Sequence, residues 1–303
     1  MEVIYNIWDR EITHCSNLKE AGLRCGVRNN AALIDYKQDV VWKKKDKFAD
    51  VTFFTDRCLS FDIIDKVQSN TKIGWLMESR TYHPDSYNIV ETVEDKLDFI
   101  FTHDDYLLSK DPNKYKFLAA DWVGIEKESH NVHTKKNLIS MIYSNKSSLD
   151  RMLRRHVAEK FKNKINLFGT GSPSGVLYIK SFSLNSYCFS VAMENNIADN
   201  YYTEKIIDCF ITGNIPIYRG CNNIGDFFDK RGIITFNKID ELEDILNNIS
   251  FSMYMDMLPY VKTNFELAKR YIDPDNLIRD FLVAIKKDIS YNTREYFKYN
   301  EDP

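Results

Sequence analysis

The amino-acid sequence predicts an α/β protein with two β/α/β domains and a helical C-terminal tail. Short apolar runs alternate with polar helical stretches, which is typical of parallel sheets with crossover helices. A polar, poorly periodic segment over 122–136 divides the chain into two such series, and residues from Ile239 onward have a helical pattern. The 303 residues are enough for two cores, so we predict an N-terminal domain over 1–130 and a C-terminal domain over 131–303.

The first series contains compact apolar runs that each end at a polar residue. Strands are predicted over 51–56, 72–78 and 97–103, with weaker candidates over 1–7 and 31–36. Parallel sheets of this kind place ligand-contacting residues at the carboxyl ends of their strands. Glu78, His103 and Asp104 stand at such ends and are therefore candidate site residues.

The second series is more regular. Strands are predicted over 138–143, 165–169, 189–193, 215–218 and 233–236, and helices over 148–161 and 201–212. Gly213 stops the second helix, and the helical tail is interrupted near Pro274. This order predicts a second parallel sheet with its own helices.

Composition and charge exclude several classes of protein. The net charge is −3, so no basic excess exists to neutralise a nucleic-acid backbone, and we expect no nucleic-acid partner. The six cysteines are scattered without a C-x-x-C pair, which predicts no metal site and favours reduced thiols. The N-terminus lacks a signal-peptide pattern and no apolar run could span a bilayer, which predicts a cytoplasmic protein.

The predicted helix over 201–212 carries the most informative pattern. Opposite an apolar stripe, one face carries four polar side chains: Tyr201, Glu204, Lys205 and Asp208. Asp199 or Asn200 is the predicted N-cap. A helix N-terminus favours an anion, a carboxylate can accept from both ribose hydroxyls, and a lysine can neutralise a phosphate. A nucleotide diphosphate fits this chemistry, and an ordinary solvated amphipathic helix is the alternative.

Three motifs around this helix resemble the signature of a known enzyme family. They are MENN at 193–196, YYTEK at 201–205 and GNIPIYRG at 213–220, in that order. With these motifs the chain resembles the α-1,3-fucosyltransferase-like glycosyltransferases, which form glycosyltransferase family 10. Met193 stands where the family usually has Phe and Asn196 where Ser is common, so the identity of the transferred sugar stays open.

The resemblance implies a fold and a set of residue roles. Family members have a GT-B-like fold, in which two Rossmann-like domains face each other across a cleft. The N-terminal domain binds the acceptor and the C-terminal domain binds the nucleotide sugar. Carried over by matching motif, Glu204 would hold the ribose and Lys205 a phosphate, while Asn195 and Tyr201 would contact the donor around the nucleotide and diphosphate.

Two further positions follow from the resemblance. The family has a diphosphate-binding arginine shortly after a strand that ends in Ser-Asn, and it corresponds to Arg151, with Arg154 and Arg155 as alternatives. The family's proposed general base is a glutamate after an early strand, which corresponds to Glu78. The alternative for Glu78 is a helix cap or a partner for Arg80.

The resemblance thus implies an inverting glycosyltransferase that moves fucose from GDP-fucose to a hydroxyl of a glycan acceptor. Basic residues would take the role of a metal, so neither metal nor cofactor is expected. The Asp104-Asp105 pair is the alternative metal site, or an acceptor contact. Two other functions stay open: the same scaffold with a different nucleotide sugar, such as a UDP-hexose or another GDP-sugar, and a non-catalytic nucleotide- or glycan-binding remnant. The sequence indicates neither the acceptor and linkage nor the oligomeric state.

Overall fold

Two parallel sheets organise the chain. The structure, a computed structural model, describes residues 3–9, 40–44, 47–144, 149–173, 175, 179–272, 274–287 and 292–300. Within these residues one sheet has six strands and the other has five. The predicted α/β class with two β/α/β units is therefore confirmed.

The first sheet is formed by the N-terminal part of the chain. Its strands are β1 Val3–Trp8, β2 Val40–Lys44, β3 Phe48–Thr55, β4 Gln68–Trp75, β5 Phe99–Thr102 and β6 Tyr115–Phe117. Their order is β2-β1-β3-β4-β5-β6, and every neighbouring pair is parallel. Its described helices are α1 Phe61–Ile64, α2 Pro84–Val93 and α3 Asp105–Lys110. The four predicted strands that begin at residues 1, 51, 72 and 97 are confirmed, whereas the candidate over 31–36 lies outside the described residues.

The second sheet follows the irregular segment around residue 130. Its strands are β7 Asn137–Ile142, β8 Asn166–Phe168, β9 Tyr187–Met193, β10 Ile215–Arg219 and β11 Ile234–Thr235, in the order β11-β10-β9-β7-β8. All pairs are again parallel. Two helices, α4 Leu149–Lys160 and α5 Glu204–Ile211, cross between strands of this sheet. Each of the five predicted strands is present, with bounds that differ by a few residues.

The helical tail is confirmed, and its last helices pack against the first sheet. The described tail contains α6 Ile239–Asn248, α7 Phe251–Asp256, α8 Leu258–Ala268, α9 Pro274–Lys286 and α10 Thr293–Phe297. Phe281 of α9 packs on Phe99 and Phe101, with ring centroids 5.7 and 5.0 Å apart. Phe297 of α10 packs on Phe117 at 5.8 Å. These aromatic contacts tie the end of the chain to β5 and β6, while the division at residue 130 stays a prediction.

The segment over 122–136 lacks regular helices and strands apart from one 3-10 turn, yet it is tightly packed. Trp122, Val123 and Ile125 are buried, and the Trp122 ring lies 6.3 Å from that of Tyr271. Burial of these apolar side chains fixes the connection between the two sheets. Among the described residues, no helix combines the length and apolarity needed to cross a membrane.

Candidate functional site

The loop that carries Glu78 is held by a buried carboxylate at the end of β3. Leu76 N–H still bonds to Phe101 O at 2.9 Å, but the next two N–H groups turn away from the sheet. Asp56 accepts from Met77 N–H at 3.0 Å and from Glu78 N–H at 3.4 Å. This turn ends β4 at Trp75, three residues before the predicted end, and it places the half-buried Glu78 in a loop at the strand ends.

Asp56 itself is unusual in backbone and in charge. Its φ angle is 33°, a left-handed conformation that Asp tolerates better than most side chains. Burial raises the pKa of Asp56 well above its ordinary value, and the nearby negative charge of Glu78 raises the pKa further. Asp56 therefore favours the protonated form beside the Glu78 loop.

A short polar relay connects Glu78 with His103 at the end of β5. The Tyr87 hydroxyl donates to the backbone oxygen of Glu78 at 2.7 Å and lies 3.3 Å from His103 Nε2. His103 is buried, and burial lowers the pKa of its imidazole to about 4. His103 is therefore neutral at neutral pH.

The N-terminus of α5 is anchored to the end of β9. The predicted N-cap, Asp199 or Asn200, is wrong, because α5 begins later and Thr203 is the cap, with a side chain that accepts from Lys205 N–H. Thr203 in turn donates its N–H and its hydroxyl to the Glu194 carboxylate at 2.9 and 2.7 Å. A third interaction of the same carboxylate, with Lys205 Nζ at 3.2 Å, completes the anchor.

The last of the three motifs supports the same anchor. Gly213, at a φ of 72°, follows the end of α5, and a Cβ there would approach the backbone of Val132 to 2.8 Å. At Gly220 a Cβ would come within 2.5 Å of the Glu194 side chain and 2.4 Å of the Tyr218 hydroxyl. Gly220 thus lets the end of β10 lie close to the anchor, and Gly213 lets the end of α5 lie close to Val132.

Arg154 has a side chain that reaches the motif residues. It is buried on α4 and donates through Nη2 to Asn195 Oδ1. Arg151 lies on the same helix, but its side chain is outside the described part of the chain. Burial and the Arg154 charge lower the pKa of Lys205, yet Glu194 and Glu204 outweigh them, so that the pKa of Lys205 is raised.

Glu204 lies in a cluster of charged side chains. Lys180 Nζ is 3.8 Å from Glu204 Oε1 and 2.5 Å from Asp208 Oδ2. Burial raises the pKa of Asp121 well above its ordinary value, and so does the charge of Glu204, to which it is hydrogen-bonded. Burial would also raise the pKa of Glu204, but Lys205 and Lys180 outweigh it and lower that pKa. Glu204 is therefore the ionised member of the carboxyl pair.

Asp208 does not belong to a presented polar face. It is fully buried, and besides Lys180 it accepts from Gly124 N–H at 2.6 Å. Glu204 and Lys205 keep only 26% and 21% of their side-chain surface exposed, so the alternative of a solvated amphipathic helix is wrong. The side chains at the start of α5 are therefore mostly buried and do not form a free surface.

Tyr201 brings the two sheets' strand ends together. It precedes α5, is buried, and its ring packs on His103 with centroids 4.9 Å apart. Burial raises the pKa of its hydroxyl well above the ordinary value, and the charges of Glu78, Glu194 and Glu204 add to the shift. The Glu78 loop and the start of α5 therefore face a common space.

A family comparison agrees with this arrangement. The model of the glycosyltransferase family 10 (fucosyltransferase) C-terminal domain matches residues 132–299, more than half of the chain. The chain belongs to this family. The matched region includes β7 to β11 and α5, whereas Asp121 and Gly124, which contact α5, precede it.

Curated relatives of this family 10 glycosyltransferase match only short regions. This chain is 30% identical to an alpha-(1,4)-fucosyltransferase of Arabidopsis thaliana over 63 residues, which are 21% of this chain and 16% of that protein. It is 25% identical to the alpha-(1,3)-fucosyltransferase FucT of Helicobacter pylori over 119 residues, 38% of this chain and 25% of that protein. The chain thus matches a quarter or less of the length of these relatives.

Solved structures extend the likeness to nearly the whole chain. An alpha1,3-fucosyltransferase with GDP superposes with a TM-score of 0.57 at 15% identity, covering 98% of this chain and 93% of that one. An alpha1,3-fucosyltransferase with GDP-fucose superposes with a TM-score of 0.54 at 15% identity, covering 96% of this chain and 92% of that one. At such identities the likeness shows the fold, and the predicted GT-B arrangement of two parallel-sheet units is confirmed.

No described cluster in this family 10 chain is arranged to hold a metal ion. Among the residues that the structure describes, no group of three or more His, Cys, Asp or Glu side chains has the required arrangement. Asp104 is bound by Arg80 at 2.9 and 2.8 Å and caps α3 by accepting from Leu107 N–H. The Asp104 carboxylate is thus already engaged by an arginine and a helix N-terminus.

Proposed function

We propose that this family 10 chain transfers fucose from GDP-fucose to a hydroxyl of a glycan acceptor with inversion at the anomeric carbon. The observation that carries the proposal is the packing of Tyr201 on His103 at 4.9 Å. Because of this contact, a carboxylate at the ends of the first sheet faces a cationic site at the ends of the second. Such a pair of sites is what a displacement at a sugar phosphate requires.

The second sheet supplies groups suited to a nucleoside diphosphate. Lys205 lies in the first turn of α5, where the helix dipole adds positive potential, and Arg154 on α4 reaches Asn195 in the loop after β9. Both cations are suited to the diphosphate. The ionised Glu204 can accept from both ribose hydroxyls. Two of the similar structures are alpha1,3-fucosyltransferases with GDP and with GDP-fucose, which supports a guanine nucleotide as the donor.

The first sheet supplies the base. Glu78 takes the proton of the acceptor hydroxyl, and that oxygen bonds to the anomeric carbon while the bond from this carbon to the β-phosphate oxygen breaks. Attack opposite the leaving group inverts the configuration, and GDP leaves with the electron pair. Arg154 and Lys205 stabilise the charge that grows on the diphosphate, so we expect transfer without an added divalent cation.

The first experiment is a thermal-shift panel on the purified chain with GDP, GDP-fucose, UDP and UDP-glucose, each with and without Mg²⁺. Ligands that bind the folded state raise the melting temperature, and at equal concentration a tighter ligand raises it more. We expect stabilisation by GDP and GDP-fucose that does not depend on Mg²⁺. A preference for UDP would overturn the fucose donor and leave a transferase for another sugar, and no response to any nucleotide would overturn the proposed activity.

A further inference from the structure

A small pocket opens beside the Glu78 loop, between the strand ends of the first sheet and the loop after β9. Its volume is about 190 Å³, and its lining includes Ser79, Arg80, His103 and Asp104 on one side and Asn196 and Asp199 on the other. Pockets for drug-sized ligands measure roughly 300–1,000 Å³. This pocket is therefore suited to a single sugar ring.

Among the described residues, two that line the pocket each carry a buried polar atom that lacks a hydrogen-bond partner. Ser79 Oγ and His103 Nδ1 have no hydrogen-bond partner among the described residues, and the two residues are 1% and 3% exposed. A buried polar atom without a partner costs free energy, and folded proteins rarely keep one. Two such atoms in one pocket point to a ligand that brings its own hydrogen-bonding groups.

The hydrogen bonds of the Tyr87 hydroxyl determine whether the ligand must offer His103 a hydrogen-bond donor or an acceptor. The Tyr87 hydroxyl proton is used at Glu78 O, 2.7 Å away, so His103 Nε2, 3.3 Å from the same oxygen, must donate to it. Because burial keeps His103 neutral, with a pKa of about 4, Nδ1 then carries a lone pair. The missing partner of Nδ1 is a donor, such as the O–H of a sugar. Ser79 Oγ can donate or accept.

The charges around the pocket exclude an acidic ligand. Arg80 donates two hydrogen bonds of 2.9 and 2.8 Å to Asp104, so its positive charge is already paired with a carboxylate. Asp199 adds negative charge to the lining, whereas the charge of Asp105 is offset by Arg294, whose Nη1 lies 3.8 Å from Asp105 Oδ1. Tyr106, with 61% of its surface exposed, presents an aromatic ring that can pack on sugar C–H groups.

We infer that this pocket binds a neutral pyranose ring of the acceptor, with one ring hydroxyl donating to His103 Nδ1 and another bonding to Ser79 Oγ. The assignment of the ring to an acceptor rests on the proposed function. Ser79 directly follows Glu78 in the chain, so a ring held in the pocket lies next to the proposed base. His103 and Ser79 thereby select for hydroxyl groups at defined positions of the ring.

The test is saturation-transfer NMR on the full chain with methyl β-D-galactopyranoside, methyl β-D-glucopyranoside and the methyl glycoside of N-acetylneuraminic acid. We expect at least one neutral glycoside to bind and the acidic glycoside to give no signal. His103→Gln carries its amide near the Nε2 position, and His103→Asn carries its amide near the Nδ1 position. We expect His103→Gln and Ser79→Ala each to weaken the Kd of the neutral glycoside about 5- to 10-fold.

His103→Asn restores an acceptor at the position of Nδ1 and is expected to bind within about twofold of wild type. His156→Gln, a histidine exposed on α4, is the matched control and should change nothing. Equal binding by His103→Gln, Ser79→Ala and wild type would overturn the inference, as would the absence of binding by both neutral glycosides. GDP binding, measured on the same samples, separates failure of the pocket from failure of the proposed transferase activity.

Discussion

Glu194 accepts both the N–H and the hydroxyl of Thr203, at 2.9 and 2.7 Å, while only 2% of its surface is exposed. The same carboxylate lies 3.2 Å from Lys205 Nζ. One buried charge therefore fixes the N-cap of α5 and orients the lysine proposed to bind phosphate. The anchor couples the stability of the second sheet to the geometry of the donor site.

Glu194→Gln tests the anchor. The amide keeps the shape but removes the charge that Lys205 faces, and its NH₂ group cannot accept from Thr203. Breaking a buried pair in this way costs about 3 kcal/mol. We expect a loss of that size in the free energy of unfolding, measured by urea denaturation.

The matched control for the anchor is Glu243→Gln. Glu243 pairs with Lys160 at 2.8 Å, but the Lys160 and Glu243 side chains are 34% and 44% exposed, so solvent screens the pair. Surface pairs contribute about 0–1 kcal/mol, so this variant should unfold almost like wild type. Equal losses in the two variants would contradict a special role for Glu194.

Glu78→Gln tests the proposed base. The amide cannot take a proton from the acceptor, so we expect kcat to fall about 10²- to 10⁴-fold. The Kd of GDP should stay near the wild-type value, because the proposed donor contacts lie on the second sheet. Transfer is measured as GDP release with an acceptor present, and GDP affinity by calorimetry. Glu128→Gln, an exposed substitution, is the control, and lost GDP binding in Glu78→Gln would argue against the base role.

Arg154→Gln and Arg155→Gln decide between two of the candidate arginines. Arg154 bonds to Asn195, whereas Arg155 is half-buried on the same helix with no contact to the motif residues among those described. Loss of a charged hydrogen bond weakens binding about 10- to 100-fold. We expect that loss in the Kd of GDP for Arg154→Gln only. A larger effect from Arg155→Gln would reverse the assignment.

Lys205→Met tests the phosphate contact, because it keeps the apolar stem and removes the ammonium group. GDP affinity should fall about 10-fold or more, whereas guanosine, which has no phosphate, should bind as before. The ratio of the two affinities separates a phosphate contact from general damage to the site. Lys160→Met serves as the exposed control, and equal loss for GDP and guanosine would contradict the assignment.

The sequence predicted the elements of the fold well because their signals are local. The buried runs that became β3, β5 and β9 are short, apolar and bounded by polar residues. The start of α5 was missed for a local reason as well. Asp199 and Asn200 are good caps, and only the bond from Thr203 to Glu194 fixes the cap three residues later.

The sequence predicted only those site residues that lie together in one segment of the chain. The motif residues Asn195, Tyr201, Glu204 and Lys205 lie close together in the chain and are brought to one end of the second sheet. Asp56, Asp121 and Lys180 were missed because their partners are distant in sequence and each resembles an ordinary loop residue. For Glu194, its position in the first motif was a usable signal, but its role depends on tertiary contacts.

His103 gives the protein a measurable pH dependence. Burial lowers its folded-state pKa to about 4, while an unfolded histidine titrates near 6.5. Between these values the unfolded state binds more protons, so His103 makes the free energy of unfolding decrease as pH falls from about 6.5 to 4. The contribution is fully present above pH 6.5 and amounts to about 3 kcal/mol.

His103→Asn removes this titration. We expect the free energy of unfolding of wild type, taken relative to that of His103→Asn, to fall by about 3 kcal/mol as the pH is lowered from 7 to 4. Burial also raises the pKa of Asp208 to about 6, an effect of opposite sign that is common to both proteins and cancels in the difference. A difference that does not change with pH would mean that His103 titrates normally in the folded protein, and Nδ1 would then be a donor below pH 6.5 instead of the acceptor that the pocket requires.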